Sequence, residues 1–335
     1  MAEEREKKTA AQIIIESFLK DVDEKGTMPW QRPYERYDSF NYFSKKAYRG
    51  INRLILPAGE YITRNQINQY NKEHNEDFRF QKGIEWFPVV FFKKDSRIIG
   101  REELLEVYPE AVIGDSDTYF GYKNGWNYHY SKGKLIKQRN ILRFYMVAER
   151  QHFRNSKGEY LPSRIETGEV SVTKQEPQAV WDSFIQRTGI KVIESIGVPC
   201  YNPGSDTIEL NKHTKSEDAW FSTAFHEGGH ATGHASRLNR KGVAKMIVQG
   251  SSDYAEEECI AEITACLCCA ETGITNMETS GMAEYENSIA YVQAWKKRIR
   301  DWGSSFIYIV SQADKAFNYI CGNPDGGIDS AESEE

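Results

Sequence analysis

Three of the seven histidines lie within nine residues, in the segment FHEGGHATGH (225–234). From His226 to His230 the spacing is H-E-x-x-H. On a helix of 3.6 residues per turn these two histidines project from one face, so both imidazoles can reach a single Zn²⁺. Glu227 would stand over a zinc-bound water and take its proton. The pattern predicts a zinc site with His226 and His230 as ligands and Glu227 as the catalytic base.

The alternative is a helix that carries two histidines on its surface. Apolar neighbours such as Phe221 and Phe225 indicate instead a largely buried helix, where unpaired imidazoles are costly. Gly228 and Gly229 each cost about 1 kcal/mol relative to alanine inside a helix. Their presence predicts that another backbone, or a substrate, approaches this helix closely.

A third ligand must come from another segment, because the longer pattern H-E-x-x-H-x-x-G-x-x-H fails at Ser236. The carboxylates of the next predicted helix are Glu256, Glu257, Glu258 and Glu262. Glu258 and Glu262 share one face, which favours Glu258 as the zinc ligand and Glu262 as the hydrogen-bond acceptor of a ligand histidine. An acidic first turn accounts for Glu256 and Glu257 through the helix dipole. Glu257 and Glu262 stay open as alternative third ligands.

Composition limits the classes of protein to which the chain can belong. Its 335 residues are 39% hydrophobic and 27% charged, which is typical of a globular protein with room for two domains. No run of about 18 apolar residues and no signal-peptide pattern is present, so we expect a cytoplasmic protein without a membrane partner. The six cysteines form no C-x-x-C pair. We expect those of the glutamate-rich helix, Cys259, Cys266, Cys268 and Cys269, to be small core residues.

Charge and aromatic residues divide unevenly along the chain. Residues 1–150 carry a formal charge of +4 and the remainder −10, and 25 of the 42 aromatic residues lie in the first part. Basic groups attract polyanions and aromatic rings can stack on bases, so the two halves are expected to have different partners. The alternative is a solvated surface over an aromatic core.

Hydrophobic periodicity and turn residues predict an α+β fold. In the N-terminal half we expect a helix at 9–23 capped by Thr9, a helix after Thr63, and strands at 86–93, 119–123, 126–130 and 141–147. In the C-terminal half we expect a small sheet and a helical bundle, with a helix at 179–188, strands at 191–196 and 207–210, and helices near 216–234, 253–272, 282–300 and 303–321. The predicted domains are 1–160 and 179–322, joined by a linker at 161–178 and followed by a disordered acidic tail at 323–335.

Several separate blocks resemble ArdC-type antirestriction proteins, a family that includes primase-related TraC-like sequences of conjugative plasmids. HEGGHATGHASRLNR (226–240), YAEEECIAE (254–262) and NSIAYVQAWKKRIRD (287–301) resemble its metallopeptidase domain, a zincin similar to ImmA/IrrE-like and SprT-like proteases. YRGINRL (48–54), together with Pro29-Trp30 and Lys82-Gly83, resembles its single-stranded DNA-binding domain.

The resemblance implies a protein of a plasmid, integrative element or phage that acts in the cytoplasm of a bacterial host. Such a protein shields incoming DNA from restriction endonucleases, with single-stranded DNA and a host restriction component or regulator as partners. Two other functions stay open: a DNA-activated protease that cleaves a repressor, and a non-catalytic DNA-binding shield with a structural zinc.

The resemblance also suggests which side chains contact DNA. Arg49 and Arg53, four residues apart, would contact phosphates beside the ring of Tyr48. Trp30 and Tyr48 would alternatively be core residues. The expected DNA-binding residues are Trp30, Arg32, Tyr48, Arg49, Asn52, Arg53 and Lys82.

Overall fold

A computed structural model describes residues 8–31, 39–114, 116–164, 175–214, 216–244, 252–274 and 289–322. Helices and strands are mixed along the chain, which confirms the predicted α+β class. Arg32, the predicted tail 323–335 and residues 165–174 of the predicted linker lie outside the described residues. Among the described helices, none combines the length and the hydropathy needed to cross a bilayer.

The described elements follow one another from residue 10 to residue 320. The helices are α1 (Ala10–Lys25), α2 (Ile51–Ile55), α3 (Arg64–His74), α4 (Arg101–Val107), α5 (Pro177–Thr188), α6 (Glu217–Thr232), α7 (Lys241–Ala244), α8 (Ser252–Thr272), α9 (Ile289–Trp302) and α10 (Ser304–Ile320). The strands are β1 (Ser39–Asn41), β2 (Gly59–Ile62), β3 (Arg79–Phe80), β4 (Phe87–Ile98), β5 (Thr118–Lys123), β6 (Trp126–Ser131), β7 (Lys134–Glu149), β8 (Phe153–Arg154), β9 (Lys191–Ser195), β10 (Cys200–Asn202) and β11 (Thr207–Asn211).

Local side-chain chemistry fixes the first turns of α1 and α3. The Thr9 side chain accepts a hydrogen bond from the Gln12 N–H, and the Thr9 N–H donates one to Gln12 Oε1. Thr63 and Gln66 form the same reciprocal pair before α3. Each capping box satisfies two backbone donors that the helix itself leaves unpaired, so both predicted helix starts are confirmed.

The described chain forms two compact units. One contains the described residues up to Val89 and from Tyr145 onward, and the other is Val90–Phe144. This division differs from the predicted split into 1–160 and 179–322. Within the first unit, Phe18 of α1 packs edge-on against Phe306 of α10, with ring centroids 5.1 Å apart. The N-terminal helix therefore completes the core of the C-terminal bundle.

The second unit is built on an antiparallel meander, β5-β6-β7, and β4 also pairs with β7. Asn124-Gly125 and Lys132-Gly133 have positive φ at both positions, as tight two-residue hairpins require. β7 is much longer than the predicted strand 141–147. Its first half, KLIKQRN, is mostly polar, so hydrophobic alternation alone did not reveal it.

The first unit contains short sheets beside its helices. β1 is parallel to β2, and β2 is antiparallel to the end of β7. β3 pairs with β8. The C-terminal part has a three-stranded sheet, ordered β10-β11-β9, and α6 packs on it and on α8 and α10. The four cysteines of α8 are all buried, which confirms their assignment to the core.

Candidate metal centre

Helix α6 presents the two histidines of the H-E-x-x-H segment. Ser216 caps the helix by accepting a hydrogen bond from the Ala219 N–H at 3.1 Å, and Glu217 and Asp218 place negative charge in the first turn. The rings of His226 and His230 lie edge to face with centroids 4.9 Å apart. One helical turn thus brings both imidazoles to the same place.

Glu258 of α8 lies opposite this pair. One of its oxygens is 3.6 Å from His226 Nε2 and the other is 3.7 Å from His230 Nε2. Neighbouring ligands of a tetrahedral zinc ion, each about 2.0–2.1 Å from the metal, are about 3.3 Å apart. The three donor groups lie within 4.8 Å of one another, so the residues fit a divalent metal with two imidazoles and one carboxylate.

The close approach of α6 and α8 makes this meeting possible. A Cβ on Gly229 would lie 3.1 Å from Ala261 Cα and 3.4 Å from its carbonyl oxygen. A Cβ on Gly228 would meet the rings of Trp181 and Phe184 at 3.3 and 3.4 Å. The predicted approach of another backbone is therefore confirmed, and the helix concerned is the one that carries Glu258.

Glu257, rather than Glu262, contacts a candidate ligand. Its Oε1 lies 3.4 Å from His230 Nδ1, and the side chain is only 4% exposed. Arg240 donates to both Glu257 oxygens, from Nε at 3.0 Å and from Nη2 at 2.5 Å. The same guanidinium also reaches the Thr232 hydroxyl and the Gly229 carbonyl, both at 2.7 Å. A carboxylate on Nδ1 leaves Nε2 free for the metal.

The structure corrects the role expected for Glu262. Its Oε1 accepts a hydrogen bond from Trp30 Nε1 at 3.1 Å and another from the Tyr291 hydroxyl. Glu262 follows Glu258 by one helical turn, so it shares the face but lies farther along α8. It joins Trp30 and α9 to the bundle instead of holding a histidine.

The charged groups of the cluster shift one another's pKa values. Burial would lower the pKa of His230, but the Glu257 hydrogen bond and the charges of Glu227, Glu257 and Glu258 outweigh it and raise the pKa to about 9. Burial would raise the pKa of Glu258, but His226 and His230 hold it near 2. Without metal, the cluster thus pairs a carboxylate with a protonated imidazole.

Tyr254, one turn before Glu258, also belongs to this cluster. Burial and a hydrogen bond to the Glu258 carboxylate raise the pKa of Tyr254 to about 12. Glu227 is buried, with 6% of its surface exposed, and its charge acts on both Tyr254 and His230. The general-base candidate therefore lies beside the three candidate ligands.

Sequence reasoning named Glu257 only as an alternative zinc ligand and missed its contact with His230; it missed Arg240 and Tyr254 altogether. The presence of Glu257 was already explained by the preference for acidic residues in the first turn of a helix, so no further role was assigned to it. Nothing in the spacing of Arg240 indicates that it folds back onto α6. For Tyr254, the four-residue spacing to Glu258 was an available signal, since such residues share a helix face.

Several residues expected at a DNA surface are buried in the first unit. Trp30 has no exposed surface and packs with Phe18, Trp295 and Phe306. Tyr48 is 8% exposed and Asn52 is 5% exposed. Because base stacking needs an accessible ring, the structure corrects the assignment of Trp30 and Tyr48 and places both in the core.

The described cationic residues among the expected DNA-binding residues differ in their exposure to solvent. Arg53 Nη1 lies 3.1 Å from Asp314 Oδ1, and its guanidinium lies over the Phe317 ring, so it ties α2 to α10. Arg49 is half-buried, and Lys82 is exposed in a turn. Of the described DNA-binding candidates, only Lys82 has a largely exposed side chain.

Comparison with known proteins agrees with this geometry. Residues 179–309 match the family model of a zincin-like metallopeptidase. Two DNA primases TraC of Escherichia coli are 25% and 32% identical to the chain in alignments of 328 positions that cover 94% of this chain. The chain spans only 20% and 27% of those primases. An uncharacterized protein y4eC of Sinorhizobium fredii (strain NBRC 101917 / NGR234) is 23% identical in an alignment of 301 positions that covers 88% of this chain and 84% of that protein.

Two solved structures of the antirestriction protein ArdC from plasmid R388 share the fold. The metal-free structure has a TM-score of 0.59 at 23% identity, covering 93% of this chain and 97% of that one. The Mn(II)-bound structure has a TM-score of 0.60 at 22% identity, covering 94% and 98%. The resemblance to ArdC-type proteins is thus confirmed at the level of the fold, and residues 179–309 match a zincin-like metallopeptidase domain.

Proposed function

We propose that this protein is an antirestriction protein of a mobile element, with a zinc-dependent peptidase centre and affinity for single-stranded DNA. One observation carries the enzymatic part: His226, His230 and Glu258 converge within ligand distance while Glu227 is buried beside them. The ArdC fold and the TraC relatives support the antirestriction role.

In this proposal each side chain of the cluster has one task. His226, His230 and Glu258 hold the ion, Glu257 orients His230, and Glu227 accepts a proton from water and delivers it to the leaving amine. A bound Zn²⁺ lowers the pKa of its water to about 7 and polarises the peptide carbonyl. A purely structural site would need the histidines but not Glu227.

The metal site is tested by elemental analysis of purified variants. We expect one zinc per wild-type chain, none in His226→Ala or His230→Ala, and weakened binding in Glu258→Ala. Glu217→Gln, an exposed position on the same helix, should keep full occupancy and serves as the control. Full zinc occupancy in both histidine variants would contradict the assignment.

The catalytic role is tested with Glu227→Gln, which should keep the zinc and lose hydrolysis. Cleavage of casein and of purified restriction subunits is measured with and without single-stranded DNA. Hydrolysis that survives in this variant would contradict the general-base role.

The antirestriction role is tested by transferring unmodified plasmid DNA into a restricting host. Wild-type protein should raise the recovery of transconjugants, and the same host without its endonuclease gives the reference value. Protection that persists in Glu227→Gln would favour a non-catalytic shield. Cleavage of a host repressor that requires DNA would favour the regulatory protease.

A further inference from the structure

The second unit, Val90–Phe144, has one covered and one open sheet face. α4 packs on the covered face, where Leu104 joins Ile99, Tyr128 and Leu135 in a buried cluster. Among the described residues of this unit, no helix lies on the opposite face. That face therefore displays side chains to solvent along its strands.

A β-bulge in β5 places two tyrosines together on the open face. Tyr119 pairs with His129, whereas Tyr122 pairs with Asn127, so Phe120 is an extra residue between the two registers. Regular alternation would put residues 119 and 122 on opposite faces, but the extra residue returns them to the same face. Tyr119 is 63% exposed and Tyr122 is 66% exposed.

The orientation of one ring is fixed by a hydrogen bond. The Tyr119 hydroxyl donates to Asn127 Oδ1 at 3.0 Å, so this ring reaches from β5 across to β6. β4 extends the apolar surface with Phe92, which is 42% exposed, and Ile98, which is 67% exposed. Because side chains alternate along a strand, Phe92 and Ile98 lie on the same face of β4 as Lys94. Arg97 lies over the Trp126 ring on the covered face, so these three residues belong to the open face.

The charge of these strands suits a polyanion. The strand residues of the unit (90–98, 118–123, 126–131 and 134–144) include eight Lys or Arg and a single acid, Asp95. That acid bonds Arg139 at 3.0 Å, and Arg139 lies over Trp126 on the covered face. Lys94 and Lys134 follow the parity of the open face and are exposed, so phosphates can approach them. The Asp117 carboxylate, just before β5, accepts hydrogen bonds from the Ser131 hydroxyl at 2.9 Å and the Lys132 N–H at 3.2 Å.

We infer that the open face of Val90–Phe144 binds single-stranded nucleic acid, with Tyr119 and Tyr122 stacking on bases and Lys94 and Lys134 contacting phosphates. This inference rests on the proposed DNA binding and names its surface. Stacking requires bases that are not already paired, which favours a single strand over a duplex. Stacking and phosphate contacts do not read base edges, so we expect little sequence preference.

The test uses the full-length protein and a fluorescently labelled oligothymidylate, with affinity measured by anisotropy. Tyr119→Ala and Tyr122→Ala should each weaken binding at least about fivefold, whereas the phenylalanine variants keep the ring and the affinity. Lys94→Gln and Lys134→Gln should each lower the slope of log affinity against log salt by about 0.7. The tyrosine variants should leave that slope unchanged.

Matched controls come from the first unit. Tyr308 on α10 is 58% exposed, and Lys297 on α9 is also exposed, so Tyr308→Ala and Lys297→Gln should bind like wild type. If the wild-type protein binds the oligonucleotide and the substitutions at Tyr119, Tyr122, Lys94 and Lys134 do not weaken that binding, the assigned surface is wrong but the proposed function stays intact. A wild-type protein that binds no single-stranded DNA would overturn both. Equal affinity for duplex, or preference for an acidic protein over the oligonucleotide, would overturn the single-strand assignment.

Discussion

At the scale of single residues, the cluster depends on a chain of contacts that runs from Arg240 through Glu257 to His230. Arg240 and Glu257 each have 4% of their surface exposed, so neither charge can be solvated by water if its partner is lost. A carboxylate on the far nitrogen of a ligand histidine also strengthens its metal bond. This contact therefore affects both stability and metal affinity.

Glu257→Gln should lower zinc affinity about 10-fold to 100-fold, because the amide is a weaker acceptor for His230 Nδ1–H. Competition with a fluorescent chelator measures this change. Glu256→Gln, at the neighbouring position of α8, should bind zinc as tightly as wild type. Equal losses in the two variants would show that negative charge in this turn, rather than the contact with His230, sets the affinity.

Arg240→Gln should destabilise the protein by about 3–5 kcal/mol, because it leaves Glu257 buried and deprives it of its main cationic partner. Urea unfolding measures the free energy. Arg300→Gln, at an exposed position of α9, is the control and should change it by less than about 0.5 kcal/mol. A small effect at Arg240 would mean that water reaches Glu257.

Metal-free protein should lose stability as the pH rises from about 6.5 to about 9. The folded pKa of His230 is raised to about 9, above its ordinary 6.5, so the protonated imidazole stabilises the fold fully below 6.5 and this stabilisation disappears through 9. Urea midpoints at several pH values after treatment with a chelator measure the slope. His230→Gln should flatten it and His234→Gln should not, so an unchanged slope in His230→Gln would contradict the prediction.

At the scale of elements, the distance between α6 and α8 determines whether the ligands can meet. Gly229→Ala adds up to about 1 kcal/mol of helix propensity, but its Cβ would press on the Ala261 backbone, and overpacking costs about 1–3 kcal/mol. The Ala261 backbone belongs to a packed helix and cannot move aside as a flexible side chain can. We therefore expect Gly229→Ala to destabilise the protein and to weaken zinc binding. Thermal unfolding with and without zinc measures both effects.

Gly228→Ala is the matched control for this prediction. Its Cβ would meet side-chain atoms of Trp181 and Phe184, which can adjust, and it does not face α8. We therefore expect zinc affinity close to that of wild type. If Gly228→Ala and Gly229→Ala lower zinc affinity equally, the distance between α6 and α8 does not determine the zinc affinity of the site.

At the scale of the whole molecule, the N-terminal segment is part of the unit that carries the metal centre. Phe18, Trp30 and Arg53 contact α9 or α10 through ring packing or ion pairing. A fragment of residues 1–160 would expose these surfaces and lose their partners. We expect it to lack a cooperative thermal transition by near-ultraviolet circular dichroism.

Co-expression of residues 1–160 with residues 175–322 is the control for this fragment. It should restore a cooperative transition, because the second fragment supplies α9 and α10. A fragment of residues 1–160 that unfolds cooperatively on its own would contradict the described division into units.

The sequence by itself determined the zinc-binding pattern, the capped helix starts and the α+β class. Each of these depends on spacing within one segment: His226 and His230 are one turn apart on any helix, and Thr9 needs only Gln12 to form its cap. The tight turn at Asn124-Gly125 is equally local, since both residues tolerate positive φ.

The tertiary structure alone decided which groups meet from distant segments. Glu257 and Glu262 are both acids of α8, and only the packing of α6, Arg240 and Trp30 around that helix assigns the first to His230 and the second to Trp30. Burial of Trp30 and Tyr48 likewise follows from the elements that cover them. An aromatic ring stacks or packs according to what lies above it, and a linear pattern does not contain that information.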